Sequence, residues 1–205
     1  MSHYAVLVIG DNPEAQLEPF DENIEVAPYV YGDVTDEDKK CMLDYYNKEK
    51  GYGFKTFEEC YKEKGIDWNG NRYRLDEDGV WREYTTYNPN SKWDWYSLGG
   101  RWSGCFIKLK DGAIGVSGRG SLVMDNKPGI DQAYKKDIDF EKIERKEFIP
   151  YAVIYKGGWI SRGNMGWWGI TTKEHFKKED WEKMVWELID SVPDNTLFSF
   201  YDLHI

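Results

Sequence analysis

The segment Tyr4-Ala5-Val6-Leu7-Val8-Ile9, closed by Gly10-Asp11-Asn12-Pro13, constrains the fold of this chain more than any other stretch. A short continuous apolar run bounded by turn residues reads as a strand buried on both faces. Such a strand sits centrally in a sheet, so the rest of the chain must supply neighbours beside it and layers above and below. Near the other end, Trp181, Met184, Val185, Leu188, Ile189 and Val192 recur at helical spacing. That stripe has to pack on something apolar. Pro193-Asp194-Asn195 then breaks the chain, and Leu197-Phe198-Ser199-Phe200-Tyr201 returns as a strand. The expected class is α+β: a mostly antiparallel sheet with the N- and C-terminal strands central and helices packed on one face.

At 205 residues the chain suits a single domain, 1–205, with a loop and helical insertion over about 11–80. Residues 11–34 carry Pro13, Pro19, Pro28 and Gly32 and read as an ordered loop. Thr35 with Asp38, and Thr56 with Glu59, are capping signals for two short helices that Gly51 and Gly65 end. Residues 66–80 read as a polar loop. Cys105–Leu109 and Ala113–Val116 flank Asp111-Gly112, the pattern of a β-hairpin. Residues 118–146 read as a charged connection. Phe148–Tyr155 is a further strand, with Gly157-Gly158 turning it into Trp159-Ile160-Ser161-Arg162. Thr171 with Glu174 suggests a third capping box.

The formal net charge of −10 argues against sequence-independent binding to a polynucleotide, which depends on many Lys/Arg–phosphate contacts, and against an anionic membrane surface. The charge is uneven: residues 1–79 balance to −10, 80–120 to +3 and 121–205 to −3. Only the middle stretch offers a small anion a favourable field. No apolar run approaches a membrane span, and Met1-Ser2-His3-Tyr4 carries no basic leader. Cys41, Cys60 and Cys105 are odd in number and widely spaced, with neither a zinc spacing nor a disulfide framework. The expected setting is a reducing cytoplasm, with no cofactor and no metal.

Residues 87–104 carry the most chemical information. Asn88-Pro89-Asn90-Ser91 is turn chemistry. If Lys92–Tyr96 is extended, Trp93 and Trp95 share one face while Lys92 and Asp94 share the other. Gly99-Gly100 permits unusual backbone angles, and Arg101 sets a planar guanidinium beside Trp102. The set suits a flat anionic ligand: an indole stacks on a base, Arg forks onto phosphate, and Asp94 accepts from a base amine. The same indoles also have a structural reading, as sheet packing. Arg162-Gly163-Asn164-Met165-Gly166-Trp167-Trp168-Gly169 repeats the ingredients. Adjacent Trp167 and Trp168 cannot both point inward from an extended segment, so one is expected at a cleft or a partner.

His3-Tyr4-Ala5-Val6-Leu7-Val8-Ile9-Gly10, the core Asn88-Pro89 … Ser91-Lys92-Trp93-Asp94-Trp95-Tyr96 … Gly99-Gly100-Arg101-Trp102, and the ending Asp202-Leu203-His204-Ile205 resemble a family of tailed-phage and prophage accessory proteins. The resemblance implies a phage origin and a role in the host cytoplasm. By association of gene context it implies action against host defences that signal with modified or cyclic nucleotides. It brings no assigned catalytic residues.

Of the three histidines, His3 precedes the first strand and His204 nearly ends the last. If those strands are antiparallel neighbours, the two imidazoles are expected at opposite ends, and only a wrapped terminus would unite them with Asp202 as acid and base on a phosphodiester. His175 is expected at the surface. No P-loop, nucleophile elbow or dinucleotide fingerprint is present. The leading expectation is a binder that sequesters a nucleotide-derived signal, a cyclic oligonucleotide or an ADP-ribose derivative, using Lys92, Trp93, Asp94, Trp95, Arg101, Trp102, Arg162 and Trp167. The alternatives are a phosphodiesterase using His3, His204 or Asp202, and an acidic inhibitor that binds a host defence protein.

Overall fold

The structure is a computed structural model that describes residues 2–65, 72–120, 129–145, 149–165 and 170–205. Phe148, Trp167 and Trp168 lie outside the described residues, and so does what was expected of them. In chain order the first elements are β1 (His3–Ile9), α1 (Pro13–Leu17), β2 (Tyr29–Asp33), α2 (Asp36–Asp44), α3 (Phe57–Lys64), β3 (Arg72–Leu75), β4 (Trp81–Thr85) and β5 (Trp95–Gly100). Then come β6 (Val116–Ser117), β7 (Arg119–Gly120), β8 (Ile130–Tyr134), β9 (Ala152–Tyr155), β10 (Gly158–Ser161), β11 (Gly163–Met165), β12 (Thr171–Glu174), α4 (Lys178–Ser191) and β13 (Leu197–His204). They divide into two compact units, Met1–Asn23 with Pro89–Ile205, and Ile24–Asn88.

The larger unit is built on an eight-stranded sheet in the order β10-β9-β1-β13-β5-β7. The first half of β13 also pairs with β8, which pairs with β6. β1 and β13 are central and antiparallel, in register from His3↔His204 to Ile9↔Phe198. Only the β1–β9 and β5–β7 pairings are parallel among the described strands of this sheet. The fold is therefore α+β with a mostly antiparallel sheet.

Both faces of the central strands are covered, which is why Tyr4–Ile9 of β1 is apolar without interruption and β13 is buried on both faces. Ala5, Leu7, Ile9, Phe198 and Phe200 meet Trp181, Val185, Trp186 and Ile189 of α4 on one face. Tyr4, Val6, Val8, Tyr201 and Leu203 pack on the other with Leu17, Phe20 and Trp93. The helices thus divide between the faces: α4 covers the first, and the short α1 sends Leu17 into the second. Phe106 and Phe200 stack nearly parallel at 5.1 Å in the α4-side core.

Two local expectations give way to longer-range pairing. Asp111-Gly112 does turn, with Gly112 at φ +79°, but no hairpin forms around it. Val116 pairs instead with Gln132 of β8, and the consecutive residues Phe106 and Ile107 are both buried, which an alternating hairpin strand does not allow. Thr171 and Glu174 belong to β12, paired with β11, and α4 begins only at Lys178. The expected β9–β10 turn is present, with Lys156 and Gly157 both at positive φ.

Residues 24–88 fold around their own core of Val34, Met42, Phe54, Phe57, Cys60 and Tyr73. Thr35 and Asp38 form the reciprocal capping box of α2, and Thr56 accepts from the Glu59 N–H to cap α3. A three-stranded sheet, β2-β4-β3, completes the unit. On it Arg82 forks onto Asp78 and Asp76, which holds the Asp78 carboxyl down at about 2.

Candidate functional site

The antiparallel β1–β13 ladder sets the first residue of one strand against the last of the other. His3 and His204 are therefore direct cross-strand partners, and their rings meet edge to face with centroids 4.9 Å apart. This corrects the expectation of opposite ends: antiparallel pairing unites a strand's start with its neighbour's finish, and no wrapped terminus is needed. Ser2 and Ile205 exchange both backbone hydrogen bonds, so the neighbouring His3–His204 pair is the non-hydrogen-bonded type, in which side chains lie closer. Trp95 of β5 is the next partner along this row, half exposed, with its ring 6.2 Å from that of His3.

Each imidazole has its own carboxylate. His3 Nδ1 lies 2.8 Å from Asp202 Oδ1, and His204 Nδ1 lies 2.6 Å from Asp94 Oδ1. An ionised carboxylate only accepts, so each Nδ1 carries a proton that it donates. Nε2 is then the ring nitrogen left for chemistry. Neither Nε2 has a hydrogen-bond partner among the described residues. Asp202 is buried at 1% exposure and also accepts the Arg101 backbone N–H at 3.0 Å. Gly100, at φ +52°, makes room for it: a Cβ there would collide with the Asp202 side chain. Gly99 does the same for Asp131, a fully buried carboxyl raised by desolvation and held by Ser103 Oγ and the Gly104 N–H. The glycine pair thus serves close packing against two buried carboxylates.

On the β9 side of the histidines lies a cavity of about 350 Å³. His3, Trp102, Tyr151, Arg162, Lys178 and Trp181 contribute to its lining. Arg162 donates from Nη2 to Glu174 at 3.0 Å, while its buried Nε has no hydrogen-bond partner among the described residues. Burial raises the Tyr151 hydroxyl, which donates to the Gly163 carbonyl.

The expected ligand residues are not all assembled here. Asp94, Trp95, Trp102 and Arg162 join His3, His204 and Asp202 at this end of the sheet. Trp93 does not: it is 5% exposed, and its indole N–H donates to the Leu17 carbonyl in the opposite core. The chain bends at Asp94, between the Asp21–Trp93 bridge and the start of β5, which breaks the alternation that would place Trp93 beside Trp95. Asp94 holds His204 instead of awaiting a base amine. Lys92 lines a separate cavity of about 580 Å³ with Phe20, Trp159 and His175, and its carbonyl accepts from the Tyr4 hydroxyl. Arg101 is exposed, and its guanidinium has no ion-pair partner among the described residues. Tyr151 and Lys178 carry no local signal of their role, because only the packing of separate elements brings them to one cavity. No group of three or more His, Cys, Asp or Glu among the described residues is placed to hold a metal ion. No protein-family model, curated protein or solved structure matches the chain.

Proposed function

We propose that this protein cleaves a phosphodiester in a small nucleotide-derived ligand, with His3 and His204 as its acid and base. One observation carries the reading: two imidazoles in edge contact, each fixed through Nδ1 by a separate carboxylate, each with Nε2 unengaged. Cleavage of a phosphodiester needs one group to take a proton from the nucleophile and another to give one to the leaving oxygen. Two adjacent imidazoles in opposite protonation states do both, and such groups contribute about 10²–10⁴-fold each. Asp202 and Asp94 stabilise whichever imidazole is charged. Trp95 offers an indole face for a base, while Arg162 and Lys178, ion-paired with Glu174 and Glu182, line the adjoining cavity.

The sequence resemblance supplies a setting: a phage accessory protein that removes a nucleotide signal of host defence. Sequestration of the same ligand is the second reading, favoured by the exposed indole, which can hold a base whether or not the ligand turns over.

Incubation with cyclic and linear oligonucleotides at substoichiometric protein, followed by chromatography, separates the two. Catalysis yields product beyond one equivalent, with a rate that falls on both sides of a pH optimum. His3→Ala and His204→Ala each lower that rate about 10²–10⁴-fold while calorimetric binding persists. Intact ligand recovered on denaturation, with no product at any pH, would leave sequestration standing and remove the enzymatic reading.

A further inference from the structure

We infer that the phosphodiester cleaved here supplies its own nucleophile: a ribonucleotide linkage whose 2′-hydroxyl attacks the adjacent phosphorus. This rests on the acid–base reading above and narrows its substrate class. The argument begins with what the site provides. Among the described residues the two imidazole Nε2 atoms are without a hydrogen-bond partner at this end of the sheet. The described carboxylates around it are already committed: Asp202 to His3 and the Arg101 N–H, Asp94 to His204, and Glu182, which also lines the cavity, to Lys178 at 3.8 Å. Among the described residues that line the cavity beside His3 there is no serine, threonine or cysteine. An attack by water needs a further group to hold that water in line. A vicinal hydroxyl is already positioned, and well-oriented internal nucleophiles reach effective concentrations of about 10⁵–10⁸ M. Two acid–base groups then suffice.

The step balances without any other reactant. One neutral imidazole accepts the 2′-hydroxyl proton at Nε2 as the O2′–P bond forms. The P–O5′ bond breaks, and the leaving oxygen takes the proton from Nε2 of the other, charged imidazole. The products are a 2′,3′-cyclic phosphate and a 5′-hydroxyl. The two rings end with their protonation states exchanged, and solvent resets them.

The surroundings fit two nucleosides flanking that phosphate. Half-exposed Trp95 lies on the β5 side of the histidine pair, and the cavity with Trp102, Arg162 and Lys178 lies on the β9 side. The same chemistry divides the two ligand classes. A cyclic oligoribonucleotide carries a hydroxyl next to each 3′-phosphate. The pyrophosphate of ADP-ribose has no such neighbour and should survive.

The test presents the full chain with cyclic diadenylate, cyclic diguanylate and a mixture of linear ribodinucleotides, each beside its 2′-O-methyl counterpart, and with ADP-ribose. Products are read by mass spectrometry in ¹⁸O water. The expected result is cleavage of 2′-hydroxyl substrates only, at least about 1,000-fold faster than the 2′-O-methyl forms. The first product should be a cyclic phosphate free of solvent oxygen. Comparable cleavage of the 2′-O-methyl forms, solvent oxygen in the first product, or hydrolysis of ADP-ribose would overturn the internal attack and leave acid–base cleavage standing. No cleavage of any member would overturn both.

Discussion

The two ends of the β1–β13 ladder share one backbone geometry and one sheet face, yet they are built for opposite purposes. At the inner end Leu7, Ile9, Phe198 and Phe200 are closed beneath α4, with Phe200 stacked on Phe106. At the outer end the same face carries His3, His204 and the buried Asp202. Apolar pairs there would have bound the strands as well or better, because a buried carboxylate must recover its lost hydration through hydrogen bonds. Asp202 does so with two donors and a glycine that yields space. This polar cluster lies between an exposed indole and a cavity, where the proposed acid–base pair would meet its ligand.

The largest effect expected from this contrast is on stability. Phe200→Ala removes a fully buried ring from the inner end and should cost about 3–5 kcal/mol in chemical denaturation. His204→Val, on the same strand and face, leaves Asp94 in reach of water and replaces a polar residue with a strand former. Its melting temperature should be equal to or above that of the parent. A drop of comparable size at both positions would make the outer end scaffold too, and the contrast would fail.

Asp202→Asn tests how the outer end works at nearly constant shape. The amide still accepts the Arg101 N–H, but it no longer holds the His3 proton on Nδ1 with a charge. Turnover should fall about 10–100-fold, less than on loss of the imidazole itself, with substrate affinity little changed and the pH profile displaced. An unchanged pH profile would mark Asp202 as packing alone.

Much of this architecture was legible because its determinants are local. The apolar run Tyr4–Ile9 and the α4 stripe show their buried faces as patterns within a few residues, whatever later packs on them, and the caps at Thr35 and Thr56 satisfy backbone groups three residues on. Asp111-Gly112 and Thr171-x-x-Glu174 carried equally local signals that tertiary pairing overrode, since Val116 gains a partner in β8 and Thr171 one in β11. The site shows the same divide. His3, Asp202 and His204 were visible as residue types, but their union depends on a ladder joining the two ends of the chain, and its consequence follows only from reading strand direction correctly. Lys92 and Arg101 looked like one phosphate clamp because they are close in sequence, whereas Lys92 lines a different cavity and Arg101 contributes its backbone N–H to Asp202.

Trp93 and Trp95 bring the contrast between scaffold and site down to two residues with only Asp94 between them. Trp93 is sealed against Leu17, and Trp95 is half exposed beside His3. Substitution of Trp95 by Ala removes a ring that is only half buried, so the denaturation midpoint should fall less than in Trp93→Ala. If a base of the ligand rests on that indole, binding weakens by about 1 kcal/mol, roughly fivefold in Kd, the lower end of what one aromatic–base stack contributes. Trp93→Ala should instead lose an internal hydrogen bond and a large apolar contact, and so lower stability well before any change in affinity can be measured. Calorimetry on the two variants separates these outcomes. Unaltered affinity in Trp95→Ala would move the base to the cavity side, against Trp102, and leave the histidine pair at the edge of the ligand rather than between its two halves.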